Sequence, residues 1–201
     1  LRQPNARLPS RLSDVFFRRA MEAIPNPAFG LRSAEYWHPS NLGTLGYAWL
    51  SSATLRKGLL RMERYARILG NRFSYTCVDQ PEGLCFVYDH GRGKDPVGWP
   101  IADFALSILV DMCRTNFGAR LAPLRVRLRR PTPADTRPYE AFFGGEVCFG
   151  QEEDSFLIDR ATVDTPLISG ETYPSTLSVI LMNAEMRKKW NREMPSETPV
   201  S

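Results

Sequence analysis

The hydrophobic period changes sharply at one point in this chain, and that change constrains the fold more than any other feature. Leu55, Leu59, Met62, Ala66 and Leu69 recur at spacings of 4, 3, 4 and 3, the mark of a helix with a single apolar stripe. Its polar face carries Arg56, Lys57, Arg61, Glu63, Arg64 and Arg67, Thr54 stands where it can cap the first turn, and Gly70-Asn71 closes the helix. The period then drops to two: Phe73, Tyr75 and Cys77 alternate with Ser74, Thr76 and Val78. Asp79-Gln80-Pro81-Glu82-Gly83 is turn chemistry, and Leu84 to Tyr88 reads as a second strand. A helix that feeds a hairpin argues against a doubly wound parallel sheet and for an α+β fold. A hairpin symmetric about Pro81 would set Cys77 opposite Cys85.

The rest of the chain divides by the same two periods. Residues 1–9 read as an arm. Leu12, Val15, Phe16, Ala20 and Ala23 form the stripe of a helix over 11–23, which Pro25 and Pro27 end. Residues 29–39 are a linker or short helix. Pro39-Ser40-Asn41 starts a helix that Leu42 to Leu50 continues, with Gly43 and Gly46 expected to pack closely against a neighbour. After a loop over 89–98, Ile101, Phe104, Ala105, Ile108, Leu109 and Met112 mark a long buried helix ending near Gly118. Leu124, Val126 and Leu128 alternate with Arg125, Arg127 and Arg129, a half-buried strand with an arginine-lined face. A short helix over Tyr139–Phe143, strands over 146–149 and 155–158 (the second returning after a turn), a short helix over 161–168 and a last helix over 176–190 complete the pattern. The predicted architecture is α+β: five short strands, mostly in hairpins, as a small antiparallel sheet packed against several helices.

A length of 201 residues suits one domain, here 1–190, with 191–201 as a linker. No apolar run approaches the roughly 20 residues of a membrane helix. The charge of 26 − 22 = +4 is mildly basic and spread along the chain, which describes solvated faces better than a nucleic-acid footprint. Cysteines 77, 85, 113 and 148 show no C-x-x-C spacing, and His38 and His90 are the only histidines, so neither a metal site nor a disulfide scaffold is predicted. Four free thiols fit a reducing cytoplasm.

Catalytic motifs are absent: the sequence has no G-x-S-x-G, P-loop, H-E-x-x-H or G-x-G-x-x-G. Gly91-Arg92-Gly93-Lys94 lacks phosphate-loop spacing and reads as a surface loop. His38 suits a helix cap. Asp103 and Asp111, eight apart, read as solvated helix charges. Cys77 and Cys85 suit small apolar side chains better than a redox pair. The arginine run 125–130 has no interleaved aromatics, which single-strand binders use, so a solvated or domain-contacting face is preferred. Tyr47, Trp49, Tyr65, Tyr75, Trp99 and Phe104 fall on elements expected to pack together. Aromatics with polar ends build small-molecule pockets as well as cores. Arg61 is the candidate partner for a ligand carboxylate.

Two runs carry a resemblance. The first is Pro27-Ala28-Phe29-Gly30-Leu31-Arg32 followed by Pro39-Ser40-Asn41-Leu42-Gly43-Thr44-Leu45-Gly46-Tyr47-Ala48-Trp49-Leu50-Ser51-Ser52-Ala53-Thr54-Leu55. The second is Arg64-Tyr65, Val126-Arg127-Leu128, Pro131, Pro133-Ala134-Asp135, Tyr139 and Phe142-Phe143-Gly144. From about residue 8 to 168 this order resembles the N-terminal effector-binding, arabinose-binding-like domain of AraC-type transcription regulators. The resemblance implies a cytoplasmic bacterial sensory domain for a small metabolite, not an enzyme. It implies DNA contact only through a C-terminal helix-turn-helix domain outside this sequence, and a possible homodimer. A ligand-free dimerisation or protein-interaction module is the alternative. The helices leading into a small sheet also resemble, more weakly, the haem nitric-oxide-binding fold. That fold's proximal histidine has no counterpart here, so no cofactor is expected.

Overall fold

The amphipathic helix and the hairpin stand where the period change puts them. The computed structural model describes residues 10–167; the arm, the helix expected over 176–190 and the linker 191–201 lie outside that range. Helix α1 (Ser10–Ala23) comes first, then 3₁₀ segments at Phe29–Tyr36 and Pro39–Leu42 and the short helix α2 (Thr44–Leu50). Helix α3 (Leu55–Leu69) precedes strands β1 (Ser74–Gln80) and β2 (Gly83–Asp89). The long helix α4 (Gly98–Phe117), β3 (Arg125–Leu128), α5 (Arg137–Phe143), β4 (Glu146–Phe149), β5 (Asp154–Asp159) and α6 (Arg160–Asp164) follow.

The five strands form one sheet in the order β1-β2-β5-β3-β4. Three pairings are antiparallel, and β3 with β4 is parallel, joined by a crossover through α5. Strand β5 therefore does not return beside β4 as expected; β3 lies between them. Phe86, Phe156 and Val126 line up across β2, β5 and β3 on the inner face, where α4 and α3 cover them in a single apolar core.

Local chemistry explains the element ends. Thr54 Oγ1 accepts from Lys57 N at 3.2 Å, capping α3. His38 Nδ1 accepts from Ser40 N at 3.2 Å, and Asn41 Oδ1 from His38 N at 3.3 Å, so His38 is a cap as expected. The helix expected through 42–50 breaks at Gly43, whose φ of 57° favours glycine. Close packing holds only for Gly46, where a Cβ would lie 1.7 Å from Pro39 O; nothing lies near Gly43.

The hairpin register corrects the cysteine pairing. Pro81-Glu82 is a two-residue turn, so Cys77 pairs with Phe86 and Val78 with Cys85. A one-residue offset moves a side chain to the other face of a sheet, and the two thiols lie on opposite faces. The stripe of α1 is also not core: Leu12, Val15 and Phe16 are exposed, while Phe17 meets the body of the protein.

Candidate functional site

The seven aromatic and basic residues singled out from the sequence fall into separate groups. Trp49 sits in the core, 1 % exposed, and donates Nε1–H to Met112 O at 3.1 Å. Arg61, on α3, reaches the end of α2, where its guanidinium donates to Ala48 O and to Ser52 Oγ, the latter at 2.8 Å. Both acceptors are neutral, and no acidic partner for Arg61 exists among the described residues. Burial lowers its pKa. Tyr65 is half-buried one turn further on, with the Arg64 guanidinium 5.4 Å from its ring centroid. Tyr47, on α2, is exposed.

Tyr75 belongs to an aromatic row beneath α3, with ring centroids 5.1 Å from Phe86, 5.5 Å from Tyr88 and 5.3 Å from Phe73. Burial pushes its hydroxyl, and that of Tyr88, well above the ordinary phenol range. Phe104 is in other company: Phe17 of α1 at 5.9 Å and Trp37 at 6.3 Å. Trp99 is half-buried in the first turn of α4. Trp49 and Arg61 thus converge on the Ala48–Ser52 turn, whereas Phe104 packs with a different part of the chain.

The structure shows a polar centre that sequence reasoning missed. Asp103 is not a solvated helix charge but fully buried. Its Oδ2 accepts from Tyr139 at 2.8 Å and from the Arg130 guanidinium, while Arg130 also donates to Pro27 O at 3.0 Å. Asp103 Oδ1 and Arg130 Nε have no hydrogen-bond partner. Nearby, buried Asp154 accepts from Arg129 N at 2.8 Å, and its Oδ2 lies 3.8 Å from His90 Nε2. His90 Nδ1 accepts from Arg92 N at 3.1 Å, so the ring proton sits on Nε2. Burial raises the Asp103 carboxyl to about 7 and the Asp154 carboxyl to about 6, and lowers the His90 imidazole to about 4. The sequence did hold a signal. Asp103 shares a helix face with Leu106, Ser107 and Val110, all buried, and a charge on such a face requires a partner. Asp111, by contrast, is half-buried and its carboxyl is raised by burial.

The outer sheet face carries Arg125, Arg127, Cys85, Ser155 and Leu157, which with Gln80 line a shallow, solvent-open depression with room for little more than a water molecule. The arginines are already occupied: Arg125 pairs with Glu146 at 2.9 Å, Arg127 with Glu153 at 3.4 Å and Arg129 with Asp89 at 3.2 Å. This is a compensated sheet face. Among the described residues no group of three or more His, Cys, Asp or Glu is arranged to hold a metal ion. No described helix is long and apolar enough to cross a membrane.

The fold is thus an α+β body with capped helices, a glycine-packed α2 and a buried Asp–Arg–Tyr centre. Residues 1–167 match the family described as the arabinose-binding domain of AraC transcription regulators, N-terminal, and the chain belongs to that family, one of regulators and not of enzymes. It is 30 % identical over 160 residues to the ornithine utilization regulator of Pseudomonas aeruginosa, an alignment covering 75 % of this chain and 44 % of that protein. The structure superposes on the transcriptional regulator CdpR of Pseudomonas aeruginosa with a TM-score of 0.69 at 18 % identity, covering 93 % of this chain and 61 % of CdpR. The chain thus spans less than half of one regulator and under two thirds of the other.

Proposed function

We propose that this chain is the effector-sensing domain of a cytoplasmic AraC-type regulator. In this reading residues 1–190 bind a small metabolite, and residues 191–201 lead to a C-terminal helix-turn-helix domain, outside this chain, that contacts DNA. The observation that carries the reading is the family match over residues 1–167, which takes in every described element. Effector binding acts by differential affinity for two arrangements of sensing and DNA-binding parts. A coupling of about 1–3 kcal/mol changes DNA affinity roughly 5–150-fold.

In this reading the effector site centres on Arg61, with Tyr65 one turn further along α3, Trp49 in the turn that Arg61 binds, and exposed Tyr47 on the same short helix α2. Arg61 supports this placement because, among the described residues, its half-buried charge is met by neutral oxygens alone, which a ligand carboxylate would complement. Tyr75 lies on the strand beneath α3. Phe104 keeps Phe17 and Trp37 as ring partners, and Trp99 stands half-buried at the start of α4; in this reading both lie outside the first contacts of the carboxylate. A carboxylate-bearing effector agrees with the ornithine named for the Pseudomonas relative.

The test is calorimetric titration of the purified chain with L-ornithine, L-arabinose and a panel of carboxylate metabolites. A saturable heat with a carboxylate compound, weakened at least about tenfold in Arg61→Gln, is expected. Saturable binding untouched by Arg61→Gln moves the site elsewhere. No saturable ligand at all leaves the ligand-free dimerisation module as the better reading.

A further inference from the structure

The last described residue, Leu167, is tied to the turn that Arg61 grips. Leu167 is buried in the core and donates its N–H to Ala53 O at 2.9 Å. Ala53 stands between Ser52, whose Oγ accepts from Arg61 at 2.8 Å, and Thr54, the cap of α3. This 51–54 turn is tightly held. Ser52 Oγ donates to Ala48 O at 2.9 Å. Trp49, just before the turn, is fixed to α4 by its bond to Met112 O and by Asn116 Nδ2, which donates to Trp49 O at 2.9 Å. A Cβ on Gly58 of α3 would lie 3.0 Å from the Trp49 ring and 3.4 Å from Ser52 Oγ. The stretch before Leu167 has a separate anchor: Arg56 binds Asp164 through Nε at 2.5 Å and through Nη2 at 3.1 Å. The backbone of residues 168–201 continues from Leu167.

We propose that Leu167 is the output of the Arg61 site: an effector carboxylate draws the guanidinium off the 51–54 turn, and the turn then releases the Leu167 N–H. This output rests on the effector reading of Arg61 given above. A carboxylate is a stronger acceptor for a guanidinium than a carbonyl or a hydroxyl, so it takes the Arg61 donors. Ala48 O is not left unpaired, because Ser51 Oγ at 3.3 Å and Ser52 Oγ at 2.9 Å still donate to it. The loss falls on Ser52, whose hydroxyl gives up Arg61 and which adjoins the carbonyl that holds Leu167. The Arg56–Asp164 pair and the two bonds of Trp49 do not involve Arg61. Helices α6 and α2 therefore keep their places while the 165–167 stretch loosens. Docked and released Leu167 are two arrangements of one element, biased from both ends. A bound carboxylate favours release, and any restraint that keeps Leu167 docked weakens carboxylate binding by the same factor.

Residue-resolved amide hydrogen exchange of the whole chain tests the coupling without a ligand. Arg61→Gln and Ser52→Ala each remove the Arg61–Ser52 bond. Both should speed exchange at Leu167 at least about tenfold, while the Phe156 and Val126 amides at the sheet centre exchange as in the wild type. Ser52→Ala, the smaller change, decides the matter where Arg61→Gln lowers the melting temperature. L-ornithine, added to the wild-type chain until its calorimetric heat saturates, should give the same rise at Leu167. Unchanged exchange at Leu167 in Ser52→Ala, a rise shared by Phe156 and Val126, or bound L-ornithine that leaves Leu167 protected would each overturn the proposal. Absence of saturable heat with every carboxylate metabolite overturns the effector reading, and the trigger with it. The Arg61–Leu167 coupling is judged by the ligand-free variants, so the two failures are told apart.

Discussion

The Tyr139 hydroxyl donates to Asp103 Oδ2 at 2.8 Å where neither residue is exposed to solvent. Tyr139 comes from α5 and Asp103 from α4, and Arg130, which follows β3, binds both. The same guanidinium reaches Pro27 O, so one buried charge pair holds four separate stretches of chain together.

Removing Asp103 is therefore expected to be far worse than removing the hydroxyl. Asp103→Ala leaves Arg130 as an uncompensated buried charge, a cost of about 3–5 kcal/mol. Tyr139→Phe loses one hydrogen bond to a charged group, about 1–3 kcal/mol. Urea unfolding of the two variants measures both. An Asp103→Ala cost below that of Tyr139→Phe would show that Arg130 finds another counter-charge.

The pH dependence of stability follows from the same centre. The carboxyls of Asp103 and Asp154 titrate at about 7 and about 6 when folded, and near 3.9 when unfolded. Between about pH 4 and 7 the folded state keeps protons that the unfolded state has lost, so the contribution of these groups falls as pH rises. His90 acts oppositely. Its imidazole titrates at about 4 when folded and near 6.5 when unfolded, so its contribution is full above about 6.5 and lost as pH falls toward 4. In His90→Gln only the carboxyl trend remains, and urea-derived stability should decline from pH 5 to pH 8. In Asp154→Asn that decline should be shallower than in the wild type. A rise in the His90→Gln profile would contradict the raised carboxyls.

Much of the fold was legible because its signals are local. The helix over 55–69, the strands on either side of Pro81 and the caps Thr54 and His38 are written in period and turn chemistry over a few residues. The placement of β3 between β5 and β4 is a pairing between distant segments, and no local pattern records it. The register of the hairpin turned on whether the loop holds two residues or three, a difference of one residue in turn geometry. The site was less legible. Arg61 and Trp49 do converge, but an aromatic that lines a pocket and one that fills a core look alike in sequence. Asp103 and Arg130 lie 27 positions apart and could be joined only by noticing that an aspartate on an apolar helix face must have a partner.

Two glycines of the 3₁₀-to-α2 turn separate space from backbone strain. Gly46 has no room for a Cβ, which would meet the Pro39 carbonyl at 1.7 Å. Gly43 has room but a φ of 57°. Gly43→Ala should cost about 1–3 kcal/mol, the price of a sparsely populated backbone conformation. Gly46→Ala should cost more, because backbone must shift. Thermal melts of the pair check the order, and a Gly46→Ala variant as stable as Gly43→Ala would show that the Pro39–Leu42 turn yields freely.

The thiols should resist oxidation to an internal disulfide. Cys77 and Cys85 lie on opposite faces of the β1–β2 hairpin, and a disulfide requires Cβ atoms about 3.5–4.5 Å apart on converging vectors. Burial pushes the Cys77 thiol well above the ordinary range, with Glu63 adding to the rise, and raises the Cys85 thiol, so little thiolate is present to start the reaction. Buried Cys113 is raised in the same way. Cys148, at the β4 edge, is half-buried and should react first with a thiol reagent under native conditions. Mild oxidation followed by denaturing thiol titration should return four free thiols per chain. Recovery of two, with peptide mapping that joins Cys77 to Cys85, would show a hairpin shifted by one residue and would reverse which face of β1 packs beneath α3.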